Sequence, residues 1–233
     1  PEKTLNDLNK FDLIINAKPT EPFTEEEKLV LDQFTMNGGK SLWLIDAVAM
    51  EKDSLYNASG KNFAMPRDLN LTDFFFKYGI RINPVIVSSL YSAPITLAMG
   101  EGSESQFQHL KWPYSPLAGS SSNHPIVNNL NLVRFDFANQ LDTLKNNIKK
   151  TILLETAPLT KLEGTPREVS LDLVTQEQDP TIFNKGNQTL AVLLEGEFSS
   201  VYANRIKPFK ISEEKNKSSF TKMVIIADGD IIK

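Results

Sequence analysis

Three short apolar segments constrain the fold of this chain more than any other feature. "FDLIINA" (11–17) and "SLWLIDA" (41–47) flank a segment that carries helix signals, and "MVIIAD" (223–228) comes near the end of the sequence. Strand, helix and strand within about forty residues form a βαβ unit, in which the two strands lie parallel with a right-handed crossover. Continuous apolar segments are typical of strands covered on both faces. We therefore predict that all three segments lie side by side in a parallel sheet.

The segment between the first two strands predicts a helix with well-defined ends. Thr24 and Glu27 have the spacing of a capping box, in which each side chain bonds a free backbone amide of the first turn. "NGG" at 37–39 supplies the left-handed residue that ends many helices. A second, shorter helix is predicted over 69–80, with Gly79 just past its end.

Residues 81–220 have a different pattern. Short segments typical of strands alternate there with Gly, Pro, Asn and Ser, and helical periodicity is weak. We predict loops over 101–131, 176–188 and 207–222. The chain is thus expected to form a single α/β domain over 1–233, with a βαβ core (1–80), a β-rich middle elaboration (81–220) and a closing core strand (221–233).

Composition excludes several classes of protein. With 233 residues, 40% of them hydrophobic, the chain can bury a core without disulfides. A net charge of −4 argues against a nucleic-acid-binding protein, which would usually present a basic face. No apolar segment is long enough to span a membrane, and no signal peptide opens the chain. We expect any targeting or anchoring segment to lie outside this sequence.

Acidic residues follow two of the predicted strands. The carboxyl ends of strands in a parallel sheet border the crevice where ligands usually bind, and Asp46, Asp228 and Asp230 lie at such ends. Aspartates there could bind a divalent metal or a phosphate group. They could equally cap the turns that follow the strands, which short acidic side chains do well. We favour capping, because the chain has neither a dinucleotide-binding nor a P-loop motif.

Two further groups are candidate binding residues. His124 follows the serines at 120–122, but no G-x-S-x-G motif is present, so a structural role is favoured over a catalytic one. Trp112 and Tyr114 alternate with prolines in "HLKWPYSPL" (109–117). Their rings could form a platform for a partner, since aromatic side chains offer a large area at low entropic cost. Alternatively, this segment is a proline-restrained lid over a hydrophobic edge.

The order of several motifs resembles a known family. "FDLIINAKPTEPFTEEEKLVLDQFTMNGGKSLWLIDAV", "WPYSPL…NHPIVNNL", "ILLETAPLTK", "LAVLLEGEF" and "MVIIADGDII" resemble the auxiliary component of gliding-motility ABC transporters, the GldG-type proteins. The resemblance covers nearly the whole chain. It implies an extracytoplasmic domain at the periplasmic face of the bacterial inner membrane, anchored by membrane helices outside this sequence. It also implies that an ABC permease and an ATPase are the partners.

The same resemblance implies an architecture without an activity. The N-terminal part is similar to the glutamine-amidotransferase-like, or flavodoxin-like, α/β fold with a parallel sheet. Enzymes of that fold class use a cysteine nucleophile, and this chain has no cysteine. No catalytic residue is therefore carried over, and no cofactor or metal is expected.

The leading hypothesis is a non-enzymatic binding domain of an ABC transport system linked to gliding motility or surface-protein export. Its crevice would be bordered by Asp46, Asp228 and Asp230, with Trp112, Tyr114 and His124 nearby. One alternative is an enzyme, namely a metal- or aspartate-dependent hydrolase or a carbohydrate-active protein. Another is a small-molecule substrate-binding protein with two lobes and a hinge.

Overall fold

The computed structural model describes residues 1–100 and 104–232. Residues 101–103, which begin the predicted loop over 101–131, and Lys233, which ends the closing segment, lie outside the described residues. No helix in the described part is long and apolar enough to cross a membrane.

Strands dominate the described residues. The helices are α1 (Glu2–Leu8), α2 (Glu25–Met36) and α3 (Thr72–Tyr78). The strands are β1 (Leu13–Ala17), β2 (Lys40–Leu44), β3 (Val48–Ala49), β4 (Lys61–Pro66), β5 (Ile80–Ser89), β6 (Ile95–Met99), β7 (Gln106–Leu110), β8 (Leu117–Gly119), β9 (Val133–Arg134), β10 (Asn139–Thr143), β11 (Lys149–Thr156), β12 (Thr160–Gly164), β13 (Arg167–Ser170), β14 (Thr189–Ser199) and β15 (Lys217–Ile226). Short 3₁₀ turns cover Lys52–Leu55, Leu171–Thr175 and Pro180–Ile182.

The main sheet has seven strands in the order β1-β2-β15-β14-β11-β8-β9. Only the β1–β2 and β2–β15 pairs are parallel, whereas every pair from β15 to β9 is antiparallel. The prediction of a parallel, flavodoxin-like or glutamine-amidotransferase-like α/β core is therefore wrong. The protein is mostly β, with a curled mixed sheet and smaller antiparallel sheets.

The error lies in placing residues 81–220 outside the core, because β8, β9, β11 and β14 extend the main sheet with antiparallel pairs. β14 shows why the sequence pattern does not indicate this arrangement. Its residues 190–194 are all buried, so the strand has the continuous apolar sequence that is typical of parallel sheets. In this fold the same burial arises because other elements cover both faces of an antiparallel strand. A continuous apolar segment indicates that a strand is buried on both faces. It does not indicate whether the strand is parallel or antiparallel to its neighbours.

Several local predictions are confirmed. The βαβ unit is present, and the capping box joins Thr24 and Glu27 in both directions. The shorter helix is α3, and Gly79 follows it with a φ of 91°. The loop predicted over 207–222 is wrong in its last part, because β15 already begins at Lys217.

Two of the hydrophobic cores are rich in aromatic residues. In the first, α2 and α3 cover one face of the main sheet, and Trp43 packs edge-on against Phe75 with ring centroids 5.1 Å apart. In the second, the small sheets β10-β5-β12 and β13-β4-β3 surround an aromatic group of Trp112, Tyr114 and Phe137. The rings of Tyr114 and Phe137 are stacked, with centroids 5.5 Å apart.

Trp112 is fully buried, so truncating it should destabilise the fold strongly. We expect Trp112→Ala to lower the free energy of unfolding by about 3–5 kcal/mol, because it leaves a large cavity. Trp112→Phe should cost less, since the indole N–H has no hydrogen-bond partner among the described residues. Denaturant unfolding measures both. As a control, Phe107→Ala removes a ring that is 81% exposed and should change stability by less than about 0.5 kcal/mol. A Trp112→Ala variant as stable as the wild type would contradict this packing.

Candidate functional site

The ends of three neighbouring strands form the candidate site. β1, β2 and β15 are adjacent and parallel, so the residues that follow them meet at one edge of the main sheet. These residues are Lys18 after β1, Asp46 after β2 and the segment Asp228–Asp230 after β15. Asn139 of β10 helps to hold this edge, because its side-chain oxygen accepts a hydrogen bond of 2.6 Å from the backbone N–H of Ala47.

Lys18 lies at the centre of the site. Its Nζ donates to both carboxylate oxygens of Asp230 at 2.6 Å and lies 2.6 Å from Oε1 of Glu51 and 4.0 Å from Oδ2 of Asp46. Burial alone would lower the pKa of Lys18, but the hydrogen bonds with Asp230 and Glu51 outweigh it and raise this pKa above its ordinary value. The ammonium therefore stays charged and holds three carboxylates together.

Asp46 joins the second and third strand ends. Its Oδ1 accepts a hydrogen bond of 2.6 Å from the N–H of Gly229, and its Oδ2 lies 3.6 Å from Nη1 of Arg67. Burial raises the pKa of Asp46, although the Gly229 N–H and the cations Lys18 and Arg67 oppose this shift. A Cβ at position 229 would lie 2.7 Å from both Asp46 and Lys18, so this close approach requires glycine.

Asp228 is almost completely buried and bonds two backbone amides. Its Oδ2 accepts from the N–H of Asp136, and its Oδ1 accepts from the N–H of Asp230, both at 2.7 Å. Burial raises the pKa of Asp228 to about 7, and the carboxylates of Asp46 and Asp230 add to the shift against the two amide bonds. This carboxyl group therefore changes its charge close to neutral pH.

A second group of charges surrounds Asp136, which follows β9. The Asp136 carboxylate lies 3.2 Å from Nζ of Lys52 and 3.0 Å from the guanidinium of Arg134, and it accepts a short hydrogen bond from the hydroxyl of Ser115. The backbone N–H of Asp136 is the one that bonds Asp228. The two charged groups are thus connected directly.

A cleft of about 470 Å³ opens beside these two groups. Most of its lining side chains are ionisable, with both signs present, and these are Glu51, Lys52, Asp53, Arg134, Asp136, Asp228 and Asp230. Phe137 also lines the cleft, and because it stacks on Tyr114, the second core lies directly beneath. The cleft therefore offers a rigid base and a polar, charged wall.

The carboxylates of the site resemble a metal-binding group in composition. Oxygens of Asp46, Glu51 and Asp230 lie within 4.8 Å of one another, and carboxylate oxygens are the ligands that Mg²⁺ and Ca²⁺ prefer. However, the Lys18 ammonium already lies among these oxygens and supplies the compensating positive charge. A metal ion would have to displace it. The geometry thus favours capping, the interpretation preferred from the sequence, together with ion pairing to Lys18, which was not predicted.

The described residues do not form a serine–histidine pair. The Ser115 hydroxyl donates to Asp136, and neither imidazole is hydrogen-bonded to a serine side chain in the described part of the chain. His109 contacts Thr96 across the β6–β7 hairpin at 2.9 Å. Nδ1 of His124 accepts from the N–H of Ile126 at 3.3 Å and so caps the turn that follows.

The structure brings together only some of the residues singled out in the sequence. Asp46, Asp228 and Asp230 meet at one edge of the sheet. Trp112 and Tyr114 are buried in the second core, so they present no exposed platform, and they reach the cleft only through Phe137. The hydrogen bonds of His124 lie within its own loop.

The cations and three of the acids, Glu51, Asp53 and Asp136, were not predicted from the sequence. Lys18 follows "LIINA" just as Asp46 follows "LWLI", so the strand-end rule that selected Asp46 would also have selected Lys18. Glu51, Arg67 and Asp136 come from loops outside the three strands. No local pattern marks these three residues, because their positions depend on how the small sheets pack.

Comparison with known proteins identifies the family. The family model described as "ABC-type uncharacterized transport system" (ABC_transp_aux) matches residues 1–233. The chain belongs to this family. Its members are auxiliary components of an ABC-type transport system, which confirms the family-level resemblance seen in the sequence and indicates a non-enzymatic role.

Comparison with solved structures shows a similar fold and nothing about function. No curated protein matches the chain. Among solved structures, the "mmIFT52 N-terminal domain" is similar with a TM-score of 0.51 and 15% sequence identity, covering 99% of this chain and 72% of that one. At this identity the similarity shows a shared fold, and the assignment to the auxiliary family comes from the family model.

The raised pKa of Asp228 predicts how stability depends on pH. The folded protein holds this proton up to about pH 7, whereas an aspartate in the unfolded chain releases it near pH 4. The Asp228 contribution should therefore lower the free energy of unfolding as pH rises from about 4 to about 7, by on the order of 1 kcal/mol per pH unit.

Denaturant unfolding of the wild type and Asp228→Asn across this pH range tests the prediction. The variant should lack the Asp228 contribution and show a shallower pH dependence than the wild type. The contribution of Asp46, which has the same sign, remains in both proteins. Equal slopes in the two proteins would contradict the assignment.

Proposed function

We propose that this chain is a non-enzymatic extracytoplasmic accessory domain of a bacterial ABC transporter linked to gliding motility or surface-protein export. Membership in the auxiliary family, over all 233 residues, supports the transport role. The order of the motifs, which resembles GldG-type proteins, supports the link to motility. On this proposal the domain lies at the periplasmic face of the inner membrane, anchored by helices outside this sequence.

The observation that carries the binding role is the charged cleft. Its wall presents side chains of both signs, including the exposed Asp53 and the partly exposed Arg134. Charges at the rim of an interface favour rapid and selective association with a complementary partner. The permease and ATPase of the same system are the proposed partners. A polar extracytoplasmic loop of the permease has the chemistry to enter this cleft.

The state of the carboxylates supports binding over catalysis. A hydrolase of the aspartate- or metal-dependent type needs carboxylates that can accept a proton or hold an ion. In this site Lys18 pairs with Asp230 and Glu51, and Asp46 lies between Lys18 and Arg67. These groups are engaged in fixing the strand ends. Asp228 also lines the cleft, but it is 1% exposed and both of its oxygens accept hydrogen bonds from backbone amides. The rim of the cleft therefore remains as the surface for recognition.

Co-purification from the native host tests the proposal. The full-length protein, with its membrane segments, should recover an ABC permease and an ATPase in stoichiometric amounts in mild detergent. The double variant Asp53→Lys/Arg134→Glu reverses the charge of two rim residues and should reduce this recovery at least about tenfold.

The control for this experiment is a reversal of similar size outside the cleft. Asp7→Lys/Lys10→Glu exchanges an exposed ion pair at the C-terminal end of α1 and should leave recovery unchanged. Recovery of the chain alone would contradict the transporter assignment. Equal recovery by both double variants would contradict the role of the cleft.

A further inference from the structure

A separate cavity shares no lining residue with the cleft. It has a volume of about 310 Å³ and lies between the turn after β2, the start of α3 and the beginning of β5. Its walls are largely apolar and include Ile45, Leu69, Leu71, Phe75 and Ile82. This volume and this lining are within the range of small-molecule sites, which combine apolar walls with a few polar groups.

Arg67 is the polar group that distinguishes this cavity. Its side chain is only 12% exposed. Its guanidinium donates no hydrogen bond within the described residues. Nη1 is buried on the side of Asp46, whereas Nε and Nη2 are not among the buried nitrogens and are the donors left for a ligand. The nearest carboxylate, Asp46, lies 3.6 Å away and is also engaged by Gly229 and Lys18. A guanidinium is always charged and carries five N–H donors, so this one has unused capacity for an anion.

The other charged residues of the cavity are already engaged. Arg81 is largely exposed and bonds the carboxylate of Asp142 through two nitrogens. The carboxylate of Asp68 accepts a hydrogen bond of 2.8 Å from the N–H of Asn70. Among the charged residues that the structure places in this cavity, Arg67 is therefore the one that lacks a hydrogen-bonded partner.

We propose that this cavity binds a small apolar carboxylate, with its head group on Arg67 and its hydrocarbon part against the walls of the cavity. Arginine recognises a carboxylate through parallel charge-assisted hydrogen bonds, which are stronger than neutral ones. The apolar walls would bury the hydrocarbon part. This cavity shares no lining residue with the charged cleft, although Arg67 also lies beside Asp46, and the proposal does not depend on the transporter partners proposed above.

Isothermal titration of the chain with octanoate and octanol tests the proposal, because the two probes differ only in the head group. The wild type should bind octanoate at least about tenfold more tightly than octanol. Arg67→Gln should lose this preference and still bind octanol, which would show that the cavity is intact. Arg67→Lys keeps the positive charge but lacks the planar guanidinium, so its preference for octanoate over octanol should lie between those of the wild type and Arg67→Gln. Arg205→Gln changes an exposed arginine that does not line this cavity, so it is the matched control and should keep the preference.

A peptide carboxyl terminus carries the same head group as an aliphatic acid. N-acetyl-leucyl-leucine separates the two sources: tighter binding than octanoate assigns the site to a peptide terminus, and weaker binding assigns it to an aliphatic acid. Either result supports a carboxylate site. Equal affinity of the wild type for octanoate and octanol, an unchanged preference in Arg67→Gln, or no binding of any probe would overturn the proposal.

Discussion

The ammonium of Lys18 is the interaction on which the site depends. The carboxylates of Asp46 after β2, Glu51 in the loop after β3 and Asp230 in the turn after β15 lie within 4.8 Å of one another, and without a cation they would repel each other. Removing one partner of a fully buried ion pair typically costs about 3–5 kcal/mol. The cost for Lys18 should be smaller, because its side chain is 19% exposed and that of Glu51 is 40% exposed. The backbone is adapted to this arrangement, because Lys18 adopts a φ of 49° and Gly229 approaches too closely for any side chain.

The mixed sheet explains why a cleft forms beside this ion-pair group. The parallel part supplies Lys18, Asp46 and Asp228 from strand ends that point the same way. The antiparallel part and the small sheets supply Asp136 and Arg134, which return to the same edge from the opposite direction. The two sets of charged residues meet where the parallel part of the sheet adjoins the antiparallel part, and there Asp228 accepts a hydrogen bond from the backbone N–H of Asp136. A fully parallel sheet would not bring the second set of charges to this edge.

The sequence contains enough information to place the three parallel strands, the capped helix α2 and the acids at the strand ends. These features depend on local periodicity, on helix capping and on the rule that the carboxyl ends of parallel strands meet at one edge of the sheet. The direction of β14 could not be predicted, because burial on both faces gives the same apolar pattern in either direction. Glu51 and Asp136 depend on long-range packing. The prolines beside Trp112 and Tyr114 are typical of a surface segment, yet the rings of both residues fill a core.

Thermal unfolding with and without millimolar Ca²⁺ tests most directly whether Lys18 serves as the cation of this site. The wild type and Lys10→Met, which alters only an exposed ion pair, should show no change in Tm. Lys18→Met should be less stable and should gain Tm on addition of Ca²⁺, because its carboxylates lack a counter-ion and a bound ion stabilises the native state. The opposite result, a Ca²⁺-dependent rise in Tm of the wild type that disappears in Asp230→Asn, would contradict the account and make the cluster a metal site.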